Sequence, residues 1–437
     1  MVKSKGSFIP ALNDNMYEVE DHDKALLVVI DPKDSFDAEG NTTELRLLCE
    51  SANVEIVDEI HIRRDSPDPR FFFGSGNAEE CFIRIQEFGA NVMVVGVELS
   101  PSQQRNLTKV TSVRTVDRTQ LILDIFAQRA RTNEGKLQVE LAQLEYLLPR
   151  LSGRGIEMSR IGGASGGGVA TRGPGETKLE TDRRRVRDRI SVLKKSLEDV
   201  VEQRGIQNKS RRDLNIPNVA LVGYTSAGKS TLLNKLANAD VEAHARLFAT
   251  LDPTTRRVDL PDGCSYILSD TVGFLRKLPH KLVAAFRATL EEVVEADFLI
   301  HVVDASHPYM QTQINAVNEV LSELGAGDKF TITVFNKCDL VEDQYSLRKL
   351  VADTPDSCYV SALTGDGIEY LTRLITEKIT QSHQIIDVLI PFNRADLLDL
   401  CHKQGRIILE EYTSEGIKLN AEIPMEILYK FNGYLPE

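Results

Sequence analysis

Cysteine is sparse in this 437-residue chain, and long apolar runs are missing from it. The six cysteines are scattered, with no Cys-x-x-Cys pair and no metal-site spacing, so we expect reduced thiols in an intracellular protein. The most apolar runs, such as 298–303, have the length of a strand and are far too short to cross a bilayer. Residues 1–23 lack the apolar core of a signal peptide. We therefore expect a soluble, cytoplasmic protein without integral membrane association.

A surplus of positive charge is missing as well. The net charge of −13 gives the chain no general attraction for nucleic acid, so any such contact has to come from a local basic patch. We expect no DNA binding. With 437 residues, the chain is long enough for about three domains.

Residues 223–230 form a complete phosphate-binding motif. They fit G-x-x-x-x-G-K-[ST], with a buried-strand run at 218–222 before them and the start of a helix at 231–236 after them. In such a loop, successive backbone N–H groups cradle phosphates at a helix N-terminus. Lys229 can reach the β- and γ-phosphates, and the Ser230 hydroxyl can bind a magnesium ion. The motif predicts a nucleoside triphosphate site.

The segment 336–339, Asn-Lys-Cys-Asp, predicts which base is bound. It follows the apolar run 330–335, which has the character of a strand. A carboxylate at a strand end can accept hydrogen bonds from the ring N–H and the exocyclic amine of guanine, whereas adenine presents an acceptor in place of that N–H. We therefore expect Asp339 to select guanine, and the backbone of 361–363 to close over the base.

An α/β alternation occupies the first part of the chain. Strands are predicted at 24–30 and 91–97, and a helix carrying Phe82, Ile85 and Phe88 lies between them. Alternation of this kind predicts a small parallel sheet covered by helices.

Between residues 119 and 212 the pattern changes to long helices. Leucines from Leu137 to Leu148, and apolar residues from Val186 to Leu197, recur at alternating spacings of three and four. Two such seams can pack as an antiparallel helical hairpin.

The joint between these helices is rich in glycine, and two interpretations stay open for it. Its composition is typical of a flexible linker, with the following arginines as a solvated helix face. Alternatively, the glycines at 161–177 let backbone approach an RNA surface closely while nearby cations neutralise phosphates. The arginines expected to contact RNA in the second interpretation are Arg160, Arg172, Arg183, Arg184, Arg185 and Arg187.

The predicted fold class is a multidomain α/β protein built around a P-loop GTPase domain with a doubly wound sheet. Strands of that sheet are predicted at 219–223, 265–270, 298–304, 330–336 and 358–361. The predicted divisions are a flexible N-terminal tail (1–23), a small α/β subdomain (24–118), a long antiparallel helical hairpin (119–212), a GTPase domain (213–383) and a small C-terminal α/β domain (384–437). We expect a monomer.

Several segments resemble those of the HflX family of GTPases, which act on ribosomes. The resemblance rests on 99–107 (LSPSQQRNL), 124–131 (DIFAQRAR), 172–177 (RGPGET), 248–252 (FATLD) and 270–274 (DTVGF). It implies a GTP hydrolase that binds the large ribosomal subunit near the peptidyl transferase centre and splits or rescues stalled ribosomes. It also implies that the glycine-rich tip contacts ribosomal RNA.

The resemblance also implies where the first switch and the Mg²⁺ ligands lie. Thr250 matches the threonine that ligates Mg²⁺ and senses the γ-phosphate, although Thr254 and Thr255 are rivals on sequence grounds. Asp270 is expected to hold the ion through water, and the Gly273 N–H to contact the γ-phosphate. Loss of that phosphate would release both segments.

The expected GTP and GDP contacts lie in five segments. Lys229, Thr250 and Gly273 are the candidates for direct participation in hydrolysis. The full set is Gly223, Tyr224, Thr225, Ser226, Ala227, Gly228, Lys229, Ser230, Phe248, Ala249, Thr250, Leu251, Asp252, Asp270, Thr271, Val272, Gly273, Asn336, Lys337, Cys338, Asp339, Ser361, Ala362 and Leu363.

Three positions qualify the expected chemistry. Phe274 stands where Ras-like proteins carry a glutamine that orients the attacking water, so intrinsic hydrolysis should be slow and need help from another residue or the ribosome. Ser226 stands where HflX proteins usually have an asparagine. Several related GTPases use that asparagine to hold a potassium ion against the phosphates, so Ser226 weakens the case for potassium activation. The segment 74–77 lacks a lysine that relatives often carry, so a second nucleotide site has little support.

Three functions stay open at this point. The first is a ribosome-dependent GTPase that dissociates or recycles ribosomes. The second is a GTP-gated ribosome assembly or hibernation factor, in which hydrolysis only resets the switch. The third is a GTPase that docks on a membrane or a protein. No amphipathic membrane helix or lipidation motif supports peripheral membrane association of this last kind.

Overall fold

The computed structural model describes most of the chain, in two compact units made of residues 1–118 and 119–437. The described residues are 23–31, 38–151, 174–213, 216–238, 247–248, 253–260, 265–276, 287–381, 383–431 and 433–434. Several predicted features lie outside them: nearly all of the N-terminal tail, most of the glycine-rich tip, Arg160, Arg172, and the first-switch residues Ala249, Thr250, Leu251 and Asp252. The finer division of the second unit stays a prediction.

The first unit is built on a four-stranded sheet with the order β2-β1-β3-β4, in which all neighbours are parallel. The strands are β1 (Asp23–Asp31), β2 (Val54–Arg63), β3 (Val92–Val95) and β4 (Arg114–Asp117), and the helices are α1 (Ala38–Ser51), α2 (Ser75–Phe88) and α3 (Pro101–Thr111). The predicted parallel sheet is therefore confirmed.

Helix α2 shows how this unit packs its core. The small residues Ala78 and Cys81 and the larger Ile85 are buried, whereas Phe82 and Phe88 are 38% and 45% exposed. The helix was predicted from Phe82, Ile85 and Phe88, and of these three residues Ile85 lies on the core face. Small side chains on that face let the helix pack closely on the sheet.

The second unit begins at the second residue of helix α4 (Arg118–Arg129), which is followed by α5 (Asn133–Leu147) and α6 (Pro174–Asp213). Helices α5 and α6 contact each other, and two ion pairs join them: Arg189 with Glu140 at 2.7 Å and Lys194 with Glu145 at 2.8 Å. Both pairs span 49 positions of sequence. When two contacts between a pair of helices join residues that are the same number of positions apart, the helices run in the same direction. These two ion pairs therefore give no support to the predicted antiparallel arrangement.

A six-stranded sheet with the order β10-β9-β8-β5-β7-β6 forms the centre of the second unit. Its strands are β5 (Asn218–Gly223), β6 (Thr254–Asp259), β7 (Ser265–Asp270), β8 (Phe298–Asp304), β9 (Thr331–Asn336) and β10 (Ser357–Tyr359). The helices around it are α7 (Lys229–Ala237), α8 (Arg287–Glu295), α9 (Met310–Glu323), α10 (Gln344–Asp353) and α11 (Ile368–Gln381). This doubly wound sheet confirms the predicted fold class.

Strand β6 was not predicted from the sequence. It is an edge strand that pairs antiparallel with β7, whereas all other neighbours in the sheet are parallel. Thr254 and Thr255, the rivals of Thr250, lie on this strand, and the Thr255 hydroxyl lies 3.2 Å from that of Ser269. Both threonines are therefore part of the sheet.

The chain ends in a three-stranded antiparallel sheet with the order β11-β13-β12. The elements are β11 (His383–Ile390), α12 (Ala395–Gln404), β12 (Arg406–Tyr412), β13 (Ile417–Pro424) and α13 (Met425–Leu428), which follow the predicted order. Apolar residues on one face of the sheet, among them Ile386, Val388 and Leu419, pack with Leu397 and Phe431 to form its core.

The described residues contain neither a membrane-spanning helix nor a disulfide. None of their helices combines the length and the apolar character needed to cross a bilayer. Cys49, Cys81, Cys338, Cys358 and Cys401 are buried free thiols. Burial raises the pKa of Cys49 to about 12, which keeps that thiol protonated.

Candidate guanine-nucleotide site

The phosphate loop joins the carboxyl end of β5 to the first residue of α7, and two of its positions require glycine. Gly228 has φ +96°, and a Cβ there would lie 2.2 Å from the Asn336 Nδ2 atom. A Cβ on Gly223 would lie 2.2 Å from the Val302 carbonyl oxygen on β8. Any side chain at either position would push the loop away from the strand ends.

Lys229 is buried at the start of α7, with 6% of its surface exposed. Its ammonium donates hydrogen bonds to the carbonyl oxygens of Gly223, at 3.1 Å, and Tyr224, at 3.0 Å. Burial lowers the pKa of Lys229 to about 8, although the Asp270 carboxylate raises it. A phosphate beside this ammonium would favour the charged form and offset the desolvation.

Ser230 and Asp270 bring two oxygen groups together below the phosphate loop. The Ser230 hydroxyl donates to the Asp270 carboxylate at 2.6 Å, and Asp270 is fully buried at the end of β7. Hydroxyl and carboxylate oxygens are the ligands that Mg²⁺ prefers, often with water between the ion and the protein. The described residues therefore fit a magnesium ion at this point.

The segment after β7 is hydrogen-bonded to the phosphate loop. The Thr225 N–H donates to the Phe274 carbonyl at 2.9 Å, and the Phe274 N–H donates to the Gly223 carbonyl at 3.1 Å. The Arg276 N–H donates to the Tyr224 hydroxyl at 3.1 Å. Phe274 is only 2% exposed, so its ring packs in the core while its backbone is hydrogen-bonded to the loop.

Gly273 and Thr271 lie tightly against the same loop and strand. A Cβ on Gly273 would lie 2.8 Å from the Thr225 Cα atom and 3.2 Å from the Lys229 ammonium nitrogen. The Thr271 hydroxyl donates to the Leu221 carbonyl at 2.6 Å. The segment that is expected to sense the γ-phosphate therefore contacts the loop directly.

Asn336, at the end of β9, connects three parts of the site. Its amide nitrogen donates to the Ala227 carbonyl at 2.8 Å, and its amide oxygen accepts from the Ala362 N–H at 3.0 Å. The side chain is 2% exposed. One buried amide thus fixes the phosphate loop and the 361–363 segment relative to each other, a role that the sequence did not reveal.

Lys337 connects the end of β9 to the end of β8. Its backbone is left-handed, with φ +61°, and its ammonium lies 2.6 Å from the Asp304 carboxylate at the end of β8. Asp304 also accepts a hydrogen bond from the Ser306 hydroxyl at 2.6 Å. Asp304 was not predicted as a site residue, although it ends an apolar strand at the edge where the ligand groups of such sheets lie.

The expected base contacts surround Asn336. Asp339 lies in the short 3₁₀ turn Cys338–Leu340 and is exposed, whereas Cys338 is buried. Ser361 is fully buried, and its hydroxyl accepts from the Thr364 N–H at 3.1 Å. The Asp339 carboxylate is therefore open to a base.

Phe248 is the described part of the expected first switch. Its ring is buried and meets the Phe126 ring of α4 edge to face, with the centroids 4.6 Å apart. The Phe248 backbone is left-handed, with φ +55°. Phe248 was expected to contact the nucleotide, and the structure places its ring against a helix that precedes the GTPase domain in sequence.

His301 lies in the centre of the sheet and was not singled out from the sequence. It is 4% exposed on β8. Burial and, to a smaller extent, the Lys229 charge lower the pKa of His301 to about 4. The ring is therefore neutral at physiological pH and adds no charge behind the phosphate loop.

The described arginines expected to contact RNA all lie on α6. Arg184, Arg185 and Arg187 are exposed, and Arg183 is partly buried. By contrast, Arg189 on the same helix is held by Glu140.

Comparison with known proteins gives family matches along most of the chain. A model described as GTP-binding GTPase N-terminal matches residues 39–127, one described as GTP-binding GTPase Middle Region matches 129–211, and one described as 50S ribosome-binding GTPase matches 218–337.

Individual relatives match the chain over almost its full length. GTPase HflX of Lacrimispora saccharolytica is 44% identical over 408 residues, which is 93% of this chain and 95% of the relative. GTPase HflX of Escherichia coli K12 is 46% identical over 386 residues, or 88% of this chain and 89% of the relative. A solved structure of a GTP-binding protein from Sulfolobus solfataricus in complex with GDP is 25% identical, with a TM-score of 0.43, and covers 82% of this chain and 99% of that one. On the two HflX relatives, the family models and the motifs gathered at one sheet edge, the chain belongs to the HflX family of GTPases and is a GTP hydrolase that binds GTP and GDP.

Proposed function

We propose that this GTPase binds the large ribosomal subunit in its GTP state and dissociates or rescues stalled or idle ribosomes, with hydrolysis resetting it. The observation that carries the proposal is the row of exposed arginines Arg184, Arg185 and Arg187 on α6. Because the net charge of the whole chain is −13, these arginines are a local basic patch and not part of a general positive charge. Such a patch can neutralise RNA phosphates. The match to a 50S ribosome-binding GTPase model supports the same partner.

In this proposal the nucleotide binds along the edge formed by the ends of β5, β7 and β9. The backbone N–H groups of 223–230 cradle the phosphates, and Asp339 pairs with guanine while the 361–363 segment closes over it. Gly273 and Thr250 contact the γ-phosphate side, so their segments order when GTP is bound and are released after hydrolysis.

Magnesium completes the proposed site. Ser230 and Asp270, whose oxygens are 2.6 Å apart, would hold the ion together with Thr250. When bound, Mg²⁺ neutralises charge on the β- and γ-phosphates.

Basal hydrolysis is proposed to be slow because Phe274 cannot orient water. Its ring is buried, and its backbone is engaged by Thr225 and Gly223. Turnover should lie far below the roughly 10 s⁻¹ typical of enzymes and should rise when large subunits are added. The proposed setting is the cytoplasm, where the protein acts as a monomer.

A sedimentation experiment tests the proposal. Intact ribosomes are mixed with the protein and GTP, and free subunits are expected in the gradient. Ribosomes that bind the protein without separating would instead support a role in assembly or hibernation. Ribosomes that neither bind nor separate would contradict the proposal.

A charge-matched pair of variants tests the arginine row. Replacement of Arg184, Arg185 and Arg187 by alanine should weaken ribosome binding and lower the salt slope by about 0.7–0.9 per lost phosphate contact. The control replaces Arg348, Lys349 and Arg373, which are exposed on α10 and α11, and should leave binding close to wild type. Equal effects in the two variants would show that only total charge matters.

A further inference from the structure

Thr225 carries a buried hydroxyl in the phosphate loop. The residue is 6% exposed, and its Oγ1 atom has no hydrogen-bond partner among the described residues. Nearly all buried polar side-chain atoms in proteins are hydrogen-bonded, so such an atom calls for a ligand or another specific explanation.

The surroundings of Thr225 indicate which ligand this is. A Cβ on Gly273 would lie 2.7 Å from the Thr225 Cγ2 atom and 3.2 Å from the Lys229 ammonium nitrogen. The Thr225 side chain and that ammonium therefore flank Gly273 closely. Because the Thr225 hydroxyl and the Cγ2 methyl group share one carbon atom, the hydroxyl is near Gly273 and can add a hydrogen-bond donor to the ammonium for one anionic group.

The backbone holds Thr225 at this position. Its N–H donates to the Phe274 carbonyl at 2.9 Å, so Thr225 is fixed next to the residue that stands in the place of the missing glutamine. The Phe274 ring is buried and offers no polar atom. Thr225 and Lys229 are thus two polar residues of the loop that adjoin the Gly273–Phe274 segment.

We propose that the Thr225 hydroxyl donates a hydrogen bond to the γ-phosphate of GTP and is a catalytic residue of hydrolysis. The hydroxyl keeps its proton throughout. Negative charge spreads over the γ-phosphoryl oxygens in the transition state, and a fixed donor stabilises it there. GDP lacks this phosphate, so the contact also distinguishes triphosphate from diphosphate. The inference rests on the proposed placement of the phosphates in the loop.

Tyr266 provides a matched control. Its hydroxyl is also buried without a partner among the described residues, but it lies on β7 in the apolar core with Leu268 and Leu232. If the Thr225 hydroxyl is buried only as a consequence of packing, its removal should change nucleotide affinity and hydrolysis as little as removal of the Tyr266 hydroxyl does.

The test compares Thr225→Val, Thr225→Ser and Tyr266→Phe in the full-length protein. Affinities for fluorescent GDP and for the slowly hydrolysed analogue GTPγS are measured, with single-turnover GTP hydrolysis and thermal unfolding. Thr225→Val should weaken GTPγS binding by about tenfold to hundredfold, the range for a hydrogen bond to a charged group, and slow hydrolysis at least as much. Its GDP affinity should change by less than about twofold, since GDP makes no such bond. Thr225→Ser should restore both properties, and Tyr266→Phe should match wild type.

Two results would overturn the inference. Unchanged GTPγS affinity and hydrolysis in Thr225→Val would show that the hydroxyl makes no contact with the γ-phosphate. Equal losses of GDP and GTPγS affinity would show that it only supports the loop. Neither result contradicts the proposed ribosomal function, because that function is tested by subunit release. A wild-type protein that binds neither nucleotide would overturn both the Thr225 inference and the proposed function.

Discussion

The two ends of the nucleotide site differ in how far the protein satisfies its own polar groups. At the base end, Asn336 bonds to Ala227 and Ala362 with its two amide atoms. At the phosphate end, the buried Lys229 ammonium donates hydrogen bonds to carbonyl oxygens of its own loop. The Thr225 hydroxyl at this end has no hydrogen-bond partner within the described part of the chain. The base end is therefore preorganised, and the phosphate end holds donors that an anion would satisfy.

This difference gives the two ends of the site separate roles in nucleotide binding. A preorganised base end gives affinity for guanine whichever phosphates are attached, because its hydrogen bonds already exist before binding. Donors grouped around Gly273 gain most when a γ-phosphate is present. We therefore expect the base end to set affinity and the phosphate end to set the response to GTP.

The largest expected effect comes from changing base recognition at Asp339. Asp339→Asn replaces an acceptor by a donor, so the side chain no longer pairs with the guanine amine. It matches xanthine, which has a carbonyl there. The preference for GTP over XTP should change by about 10⁴-fold, the scale for a site that loses a required hydrogen bond.

Competition binding with GTP and XTP measures this change. Asp328→Asn, at an exposed carboxylate in the same domain, should keep the wild-type preference. An Asp339→Asn protein that still prefers GTP as strongly as wild type would remove Asp339 from base recognition.

The next effect tests whether the base end is built by Asn336. Asn336→Ala leaves the Ala227 carbonyl and the Ala362 N–H without their partner, at a cost of about 1–3 kcal/mol for each buried group. GDP and GTP affinity should fall together, and the free energy of unfolding should decrease. Urea unfolding and nucleotide binding measure both. Asn315→Ala, on the exposed face of α9, should change neither. Selective loss of GTP affinity would contradict the assignment of this residue to the base end.

The smallest effect concerns the pH dependence of the phosphate end. Burial lowers the pKa of Lys229 to about 8, so the free protein loses this proton as the pH rises through 8. Bound phosphates favour the charged ammonium, so binding above pH 8 has to take up a proton, and GTP affinity should fall by up to about tenfold per pH unit. Below pH 7 the lysine is charged in both states, and no such dependence is expected.

Calorimetric titrations in buffers of different ionisation enthalpy count the protons taken up. Lys229→Arg stays charged over this range and should show no uptake that belongs to this position. Equal uptake in the two proteins would assign the proton to another group.

The sequence predicted features whose signals are local. The phosphate loop and the segment 336–339 were found from spacing within a few residues, and so were most strands of the central sheet. Strand β6 was missed because Val258 is its buried residue, while Arg256 and Arg257 are exposed. Such an edge strand has little apolar pattern.

Features that depend on distant residues could not be predicted. Asn336 and Ala227 are 109 positions apart, and Lys337 and Asp304 are 33 apart, so only the folded sheet brings these pairs together. The buried Thr225 hydroxyl is equally invisible in sequence, since its environment depends on Gly273. The position of the first switch was inferred from family resemblance, and Thr250 stays a prediction.

Binding to isolated large ribosomal subunits tests most directly whether the phosphate end controls the function. The protein is sedimented with these subunits in GDP, in GTPγS and without nucleotide, at equal salt concentration. Because the γ-phosphate is expected to order the switch segments, the protein should pellet with the subunits in GTPγS and stay largely in solution in the other two conditions. Equal pelleting in GDP and GTPγS would contradict the proposed gating.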